Sequence, residues 1–252
     1  MHRIEKIQSP IIFGHRGASK YAPENTVAAF ELVLEQGAEA FELDTMLNAD
    51  GIPVVIHDRT VDRTTDGSGK VGQLSAKELH AMDAGSTFSI EYSNERIPLL
   101  EEVFTTFKDR ALINVELKNY HNLSDALPEK VAEIANRIDI LDQLLFSTFF
   151  PSNLKRIKRL IPGVPVALLC SRGVIGYFPR SKVLLSVSPD YIHPHFKDIT
   201  KSFIEKQHRM NRKVNVWTVN HQTDMIRLIN QGVDGIITDD PKLALKIKRR
   251  MK

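Results

Sequence analysis

The chain has 252 residues, 42% hydrophobic and 26% charged, the balance of an ordinary soluble globular protein. Its formal net charge of +3 is too small to argue for a nucleic-acid surface, and its single cysteine, Cys170, excludes an intrachain disulfide. No segment approaches the ~18 uninterrupted apolar residues of a membrane span, so no stable membrane association is expected. The opening MHRIEKIQSP lacks the apolar run of a signal peptide, which makes the cytoplasm the expected location.

A short apolar strand over 11–13 runs into Gly14-His15-Arg16-Gly17. Pro23-Glu24-Asn25-Thr26 then opens a helix, with Val27, Phe30 and Leu34 at helical spacing and Gly37 as its stop. The next strand, 40–45, carries Glu42 and Asp44 two residues apart, so both carboxylates point to one face. A polar turn, Asn48-Ala49-Asp50-Gly51, leads to a β-rich run over 52–56 that ends in His57-Asp58. Pairing of the two runs about that turn gives facing residues whose numbers sum to about 100–101. That register brings His57 level with Leu43 and Asp44. One hairpin then delivers two metal-type ligands and an imidazole to one place.

Residues 59–97 are Gly- and Thr-rich at first, then form a capping box at Ser75 and Glu78 for a short helix ending near Met82. They form a small insertion with no core large enough to fold alone, inside one catalytic domain spanning 1–252. Pro98 starts a helix over 99–107, made amphipathic by Leu100, Val103, Phe104 and Phe107. Strands at 112–116, 144–146, 166–169, 191–193, 214–219 and 235–238 then alternate with helices at 128–137, 151–160, 199–210 and 223–231. The pattern assigns 172–188 to no element. The terminal KLALKIKRRMK is a solvated final helix with Leu243, Leu245 and Ile247 turned inward and its cations at the helix C-terminus. The hairpin turn is too short for a crossover helix, so its second run returns antiparallel. Eight parallel strands separated by helices remain, the (β/α)₈ or TIM-barrel pattern with a small insertion after the strand-two hairpin. A doubly wound sheet would share this order of elements.

The polar residues favour the barrel, because they fall at the carboxyl ends of strands, where barrels carry their function. Glu42, Asp44 and Glu116 make a hard oxygen site for one divalent cation, Mg²⁺ or Ca²⁺. The competing explanation is simple pairing with Arg16 and Lys118, but three anions against two cations leave an excess. Arg16 offers a planar fork and Lys118 a point charge for a phosphate. His15 and His57 form an acid–base pair; the sequence does not order them, and His57 is the first choice for the acid. Glu24 either braces Arg16 or His15 or serves the helix N-terminus, and Asp58 is placed to orient His57. His193 and His195, in YIHPHF, fit a packed strand end better than a second ligand pair. Trp217 fits a mouth wall against substrate and a core position equally well.

Together these segments resemble the glycerophosphodiester phosphodiesterases. The resemblance is carried in order by Gly14-His15-Arg16-Gly17, Pro23-Glu24-Asn25-Thr26, Glu42-Leu43-Asp44, Asp50-Gly51, Val54-Val55-Ile56-His57-Asp58 and Asp62-Arg63-Thr64-Thr65. Glu116-Leu117-Lys118, Val216-Trp217-Thr218-Val219-Asn220 and the run from Gly232 to Asp239 continue it. It implies a barrel that hydrolyses small glycerophosphodiesters, such as glycerophosphocholine or glycerophosphoethanolamine, to glycerol 3-phosphate and an alcohol. Glu42, Asp44 and Glu116 would hold Mg²⁺ or Ca²⁺, His15 and His57 would act as acid and base, and Arg16 and Lys118 would hold the phosphate. Thr45 departs from the apolar residue common there, and residues 123–189 match only loosely. No serine or cysteine accompanies the histidines in these motifs, which leaves water or the substrate's own C2 hydroxyl as nucleophile. The family resemblance suggests the latter, through a cyclic phosphate. The alternatives are a lysophospholipase D acting on lipid-bearing glycerophosphodiesters and a non-catalytic phosphate-binding barrel.

Overall fold

Strands covered on both faces are made of near-continuous apolar runs. Such runs build β1 (Ile11–His15), β2 (Ala40–Leu47), β3 (Pro53–Val55), β4 (Leu112–Leu117), β5 (Leu144–Thr148), β6 (Val166–Cys170), β7 (Tyr191–Pro194), β8 (Lys213–Val216) and β9 (Gly235–Thr238). The computed structural model describes residues 2–120, 122–173 and 187–251. Parallel pairing runs β1-β9-β8-β7-β6-β5-β4-β2, and a β1–β2 pairing closes the ring. The result is the expected eight-stranded (β/α)₈ barrel. Strand β3 pairs antiparallel with β2 outside the ring, with Thr45 opposite Val55, Met46 opposite Val54 and Leu47 opposite Pro53. Each pair sums to 100, the register the turn predicts. Thr45, the departure noted above, is buried there and donates its hydroxyl to the Val54 carbonyl at 3.0 Å.

The described helices are α1 (Val27–Glu35), α2 (Ala76–Ala81), α3 (Leu100–Phe107), α4 (Leu127–Ile138), α5 (Pro151–Leu160), α6 (Lys201–Arg209), α7 (Gln222–Gln231) and α8 (Pro241–Arg250). Two boundaries differ from the sequence pattern by more than two residues, each for an identifiable reason. Helix α1 begins at Val27 rather than Pro23, because Asn25 adopts a left-handed φ of 58° and Thr26 then caps the Ala29 amide. The ladder of β8 ends at Val216, beyond which a single bridge joins Trp217 to His195. The unassigned stretch 172–188 lies mostly outside the described residues.

Alternation along the strands sorts the side chains. Outward-facing Phe41 stacks on Phe30 of α1 at 4.4 Å between centroids and meets Phe107 of α3 edge-on at 5.0 Å. Inward-facing Phe13, Ala40, Leu112, Leu145, Ala167, Tyr191 and Ile237 fill the barrel near the strand starts, with Ile4 closing the base. One step higher on the same inward faces come His15, Glu42 and Asn114, and above them Asp44, Glu116 and Ser147. The apolar floor thus gives way to ionisable groups toward the carboxyl ends. In residues 59–97, Val61, Val71, Leu79, Ala84 and Ile97 pack onto Met46, Val54 and Ile56 of the hairpin. We therefore take this segment as an appendage of one barrel domain. No described helix is long and apolar enough to cross a membrane.

His193 is sealed inside the barrel, 0% exposed, with its ring 3.0 Å from the Asn215 amide nitrogen, and its carbonyl accepts the Trp217 indole N–H at 2.7 Å. His195 stacks on Phe196. These are packed positions, as the sequence favours. Burial pushes the His193 pKa down to about 3. The unfolded chain protonates this residue below ~6.5 and the native chain does not, so its contribution is complete above that pH and lost as pH falls. Urea titrations should show stability declining from near pH 6.5 toward pH 3, by ~4 kcal/mol from this residue alone. A His193→Gln variant should show a flatter pH profile.

Candidate active site

The loop from β1 to α1 is built on close approach. A Cβ on Gly14 would come within 2.4 Å of Val33, and one on Gly17, at φ +89°, within 2.5 Å of Ala29. Between them Arg16 takes a left-handed φ of 55°, a conformation unfavourable for a side chain of its size. The turn aims the Arg16 amide at Glu42 Oε2, 3.0 Å away. Its guanidinium donates from Nη1 to Glu24 at 2.9 Å and lies 3.3 Å from Asp44 through Nε. Glu24 also accepts both terminal nitrogens of Arg63, from the insertion, so it braces Arg16 and ties the insertion to the mouth. Arg16 is therefore positioned by two carboxylates, and its Nη2 has no hydrogen-bond partner among the described residues.

Strands β2 and β4 bring Glu42, Asp44 and Glu116 together, with one carboxylate oxygen from each lying within 4.8 Å of the others. Glu42 is 4% and Asp44 1% exposed. Lys118 Nζ lies 3.4 Å from Asp44 and 3.7 Å from Glu116, and Asn25 donates to Asp44 Oδ2 at 3.0 Å. Burial raises Glu42 well above the usual carboxylate range, helped by Asp44 and Glu116. Burial likewise raises Glu116, with Lys118 opposing. Asp44 goes the other way: burial would raise it, but Lys118, Arg16, His57 and the Asn25 amide together hold it low. Two of the three carboxylates are thus pushed toward their neutral forms, because Arg16 and Lys118 do not offset three clustered acids, and the all-oxygen donor set suits a hard divalent cation. The Tyr120 hydroxyl donates to Glu116 Oε1, and its ring packs on Phe149 and Phe150.

Each histidine is held through Nδ1 by an aspartate. His15 Nδ1 is 2.6 Å from Asp239 Oδ1, and His57 Nδ1 is 2.6 Å from Asp58 Oδ1. Ser19 and Asn220 also donate to Asp239, and Arg63 donates to Asp58. In each ring an Nδ1–H donated to the carboxylate leaves Nε2 as the nitrogen free to take or give a proton. Burial lowers the His57 pKa; Asp44 opposes this, while Lys118 and Arg16 add to it. A histidine held neutral in this way suits a proton acceptor. Asp239→Asn should put an N–H where His15 needs an acceptor, force the wrong tautomer and lower kcat by ~10²–10⁴-fold. Steady-state rates with unchanged melting temperature would show the loss to be catalytic.

His15, Arg16, Glu42, His57, Glu116 and Lys118 line one cavity of about 260 Å³ at the carboxyl ends of the strands. Trp217, Phe149 and Leu169 form its apolar side, which makes Trp217 a wall of the mouth. All eight site residues expected from the sequence meet at this end of the barrel. Sequence reasoning gave no role to Asn25, Arg63, Tyr120, Phe149 or Asp239. Asn25 carried a local signal, as a residue tolerant of left-handed φ placed just before a capping threonine, and Asp239 carried one as an ionisable group at the carboxyl end of a strand.

The sequence model of the glycerophosphoryl diester phosphodiesterase family matches residues 15–243. The chain is 36% identical to a glycerophosphodiester phosphodiesterase of Caldanaerobacter subterraneus, covering 95% of this chain and 98% of that one. It is also 36% identical to a glycerophosphodiester phosphodiesterase of Bacillus altitudinis, over 96% and 99% of the two chains. Among solved structures, a phosphodiesterase of Oleispira antarctica in complex with its product sn-glycerol-3-phosphate superposes with a TM-score of 0.86 at 30% identity, over 95% of this chain and 97% of that one. The chain belongs to the glycerophosphoryl diester phosphodiesterase family and is an enzyme of that class.

Proposed function

We propose that the enzyme hydrolyses small glycerophosphodiesters, such as glycerophosphocholine and glycerophosphoethanolamine, to sn-glycerol 3-phosphate and an alcohol. The observation that carries this is the meeting of two aspartate-braced histidines, an acidic triad and two cations in one cavity. Glu42, Asp44 and Glu116 would hold Mg²⁺ or Ca²⁺, for which an oxygen-only donor set is suited. When bound, that ion supplies screening of the phosphoryl oxygens and a lowered pKa for a substrate hydroxyl. Lys118 and the free donor of Arg16 orient the phosphate, and Trp217 with Phe149 covers the glycerol carbons.

His57 Nε2 takes the proton of the glycerol C2 hydroxyl, which attacks the neighbouring phosphorus. His15 Nε2 gives a proton to the departing alcohol. Water then opens the cyclic phosphate as the two histidines exchange roles. Intramolecular attack of this kind carries effective molarities of ~10⁵ M or more. A substrate with propane-1,3-diol in place of glycerol lacks the attacking hydroxyl and should bind without being cleaved. Two in-line displacements should give overall retention at a chiral phosphorus. Turnover of the deoxy substrate, or inversion, would instead identify direct attack by water.

Phe88 and Ile90 of the insertion are 45% and 77% exposed, which favours a lipid-bearing substrate as the second possibility. Turnover of lysophosphatidylcholine exceeding that of glycerophosphocholine would establish it.

A further inference from the structure

A larger cleft, about 720 Å³, opens at the opposite end of the barrel, beneath the starts of β7, β8 and β9. Ile4, Pro162, Val164 and Tyr191 supply its apolar surface, and its charged residues are mostly spoken for. Lys158 pairs with Asp190 at 3.3 Å and His208 with Asp234 at 2.7 Å. Two cations and one carboxylate, Glu5, in the wall make no ion pair among the described residues. Arg212 is 7% exposed, yet its guanidinium makes no hydrogen bond or ion pair with any described residue. None of its nitrogens is among the sealed, unpartnered atoms of the protein, so they reach the open cleft. Lys213 beside it lies over the Tyr191 ring at 5.7 Å and has no carboxylate partner among the described residues.

Buried charges are ordinarily paired, because desolvation without a partner is costly. Here burial pushes the Arg212 pKa down, and no carboxylate offsets it. A ligand of opposite charge would supply the missing partner. We propose that this cleft is a second binding site, for the phosphoryl dianion of a small molecule, held by Arg212 and Lys213. A guanidinium fork and an ammonium point charge match a tetrahedral dianion better than a single carboxylate. The free volume accommodates a short organic body on the phosphate. Both inorganic phosphate and a phosphomonoester such as the reaction product carry this chemistry. The site is independent of the catalytic assignments, since no residue lines both cavities.

The test is calorimetric titration of the Mg²⁺-loaded enzyme and of Arg212→Met with inorganic phosphate, sn-glycerol 3-phosphate and acetate. Wild type should show a phosphate site, distinct from the catalytic one, that Arg212→Met weakens at least tenfold. A preference of that site for sn-glycerol 3-phosphate over phosphate would name the product as the source; equal binding would name the phosphoryl group alone. Without phosphate, Arg212→Met should melt no lower than wild type and turn over glycerophosphocholine at the wild-type rate. Identical isotherms for the two proteins would overturn the site, as would acetate binding as tightly as phosphate. A variant that fails to fold or melts lower would show that Arg212 serves the fold, and would overturn it equally.

Discussion

Glu42→Gln, Asp44→Asn and Glu116→Gln should each lower kcat for glycerophosphocholine by ~10³-fold or more, and excess chelator should match the most severe of them. Readdition of Mg²⁺ or Ca²⁺ should restore the chelated wild type. The three substitutions should nonetheless differ in their effect on the metal-free fold. Burial and two neighbouring carboxylates disfavour ionisation of Glu42, so a neutral glutamine relieves repulsion and should raise the melting temperature in chelator at alkaline pH. Asp44 is held ionised by Lys118, Arg16 and His57 against its own burial. The Asp44→Asn change would leave Lys118, which is 9% exposed, short of its 3.4 Å partner, and should lower the melting temperature. Opposite shifts in stability with the same loss of activity would mark a metal site. Parallel losses of both would mark an ordinary ion-pair cluster, and full activity in excess chelator would dispose of the cation altogether.

The period-two pattern and the length of the turn were enough to read the hairpin. They fix which strand face holds Glu42 and Asp44, and the observed pairing of Thr45 with Val55 follows from them. The expected site residues were legible for the same reason, since each sits on a strand end whose direction the alternation of elements dictates. What stayed hidden depends on contacts between segments distant in sequence. Asp239 meets His15 across 224 positions, and nothing around either residue announces the other. Arg63 reaches Glu24 across 39 positions from an insertion whose fold has no periodic signal. Helix α1 starts late because Asn25 bonds to Asp44 on the neighbouring strand, a tertiary contact that displaces the expected helix opening. The acid–base order of the histidines was equally unreadable. The order we propose rests on the burial of His57 and on the two cations that β1 and β4 bring beside it.

His15→Ala and His57→Ala should each reduce kcat by ~10²–10⁴-fold with natural substrates, and the double variant should fall little further, because both residues serve one proton path. The leaving group separates their roles. An alkoxide leaves poorly and needs a proton, whereas a nitrophenolate leaves unaided. With a glycerophospho-nitrophenyl ester, His15→Ala should therefore recover most of the first-step rate, because the acid it lost is no longer required. His57→Ala should recover little, since the C2 hydroxyl still has to lose its proton. The recovered His15 variant should also accumulate the cyclic phosphate. Opening that ring by water calls on His15 as the base, and phosphorus NMR would resolve the intermediate from the monoester product. Rescue of His57→Ala instead would exchange the two assignments, and rescue of neither would show that no side chain here protonates the leaving group.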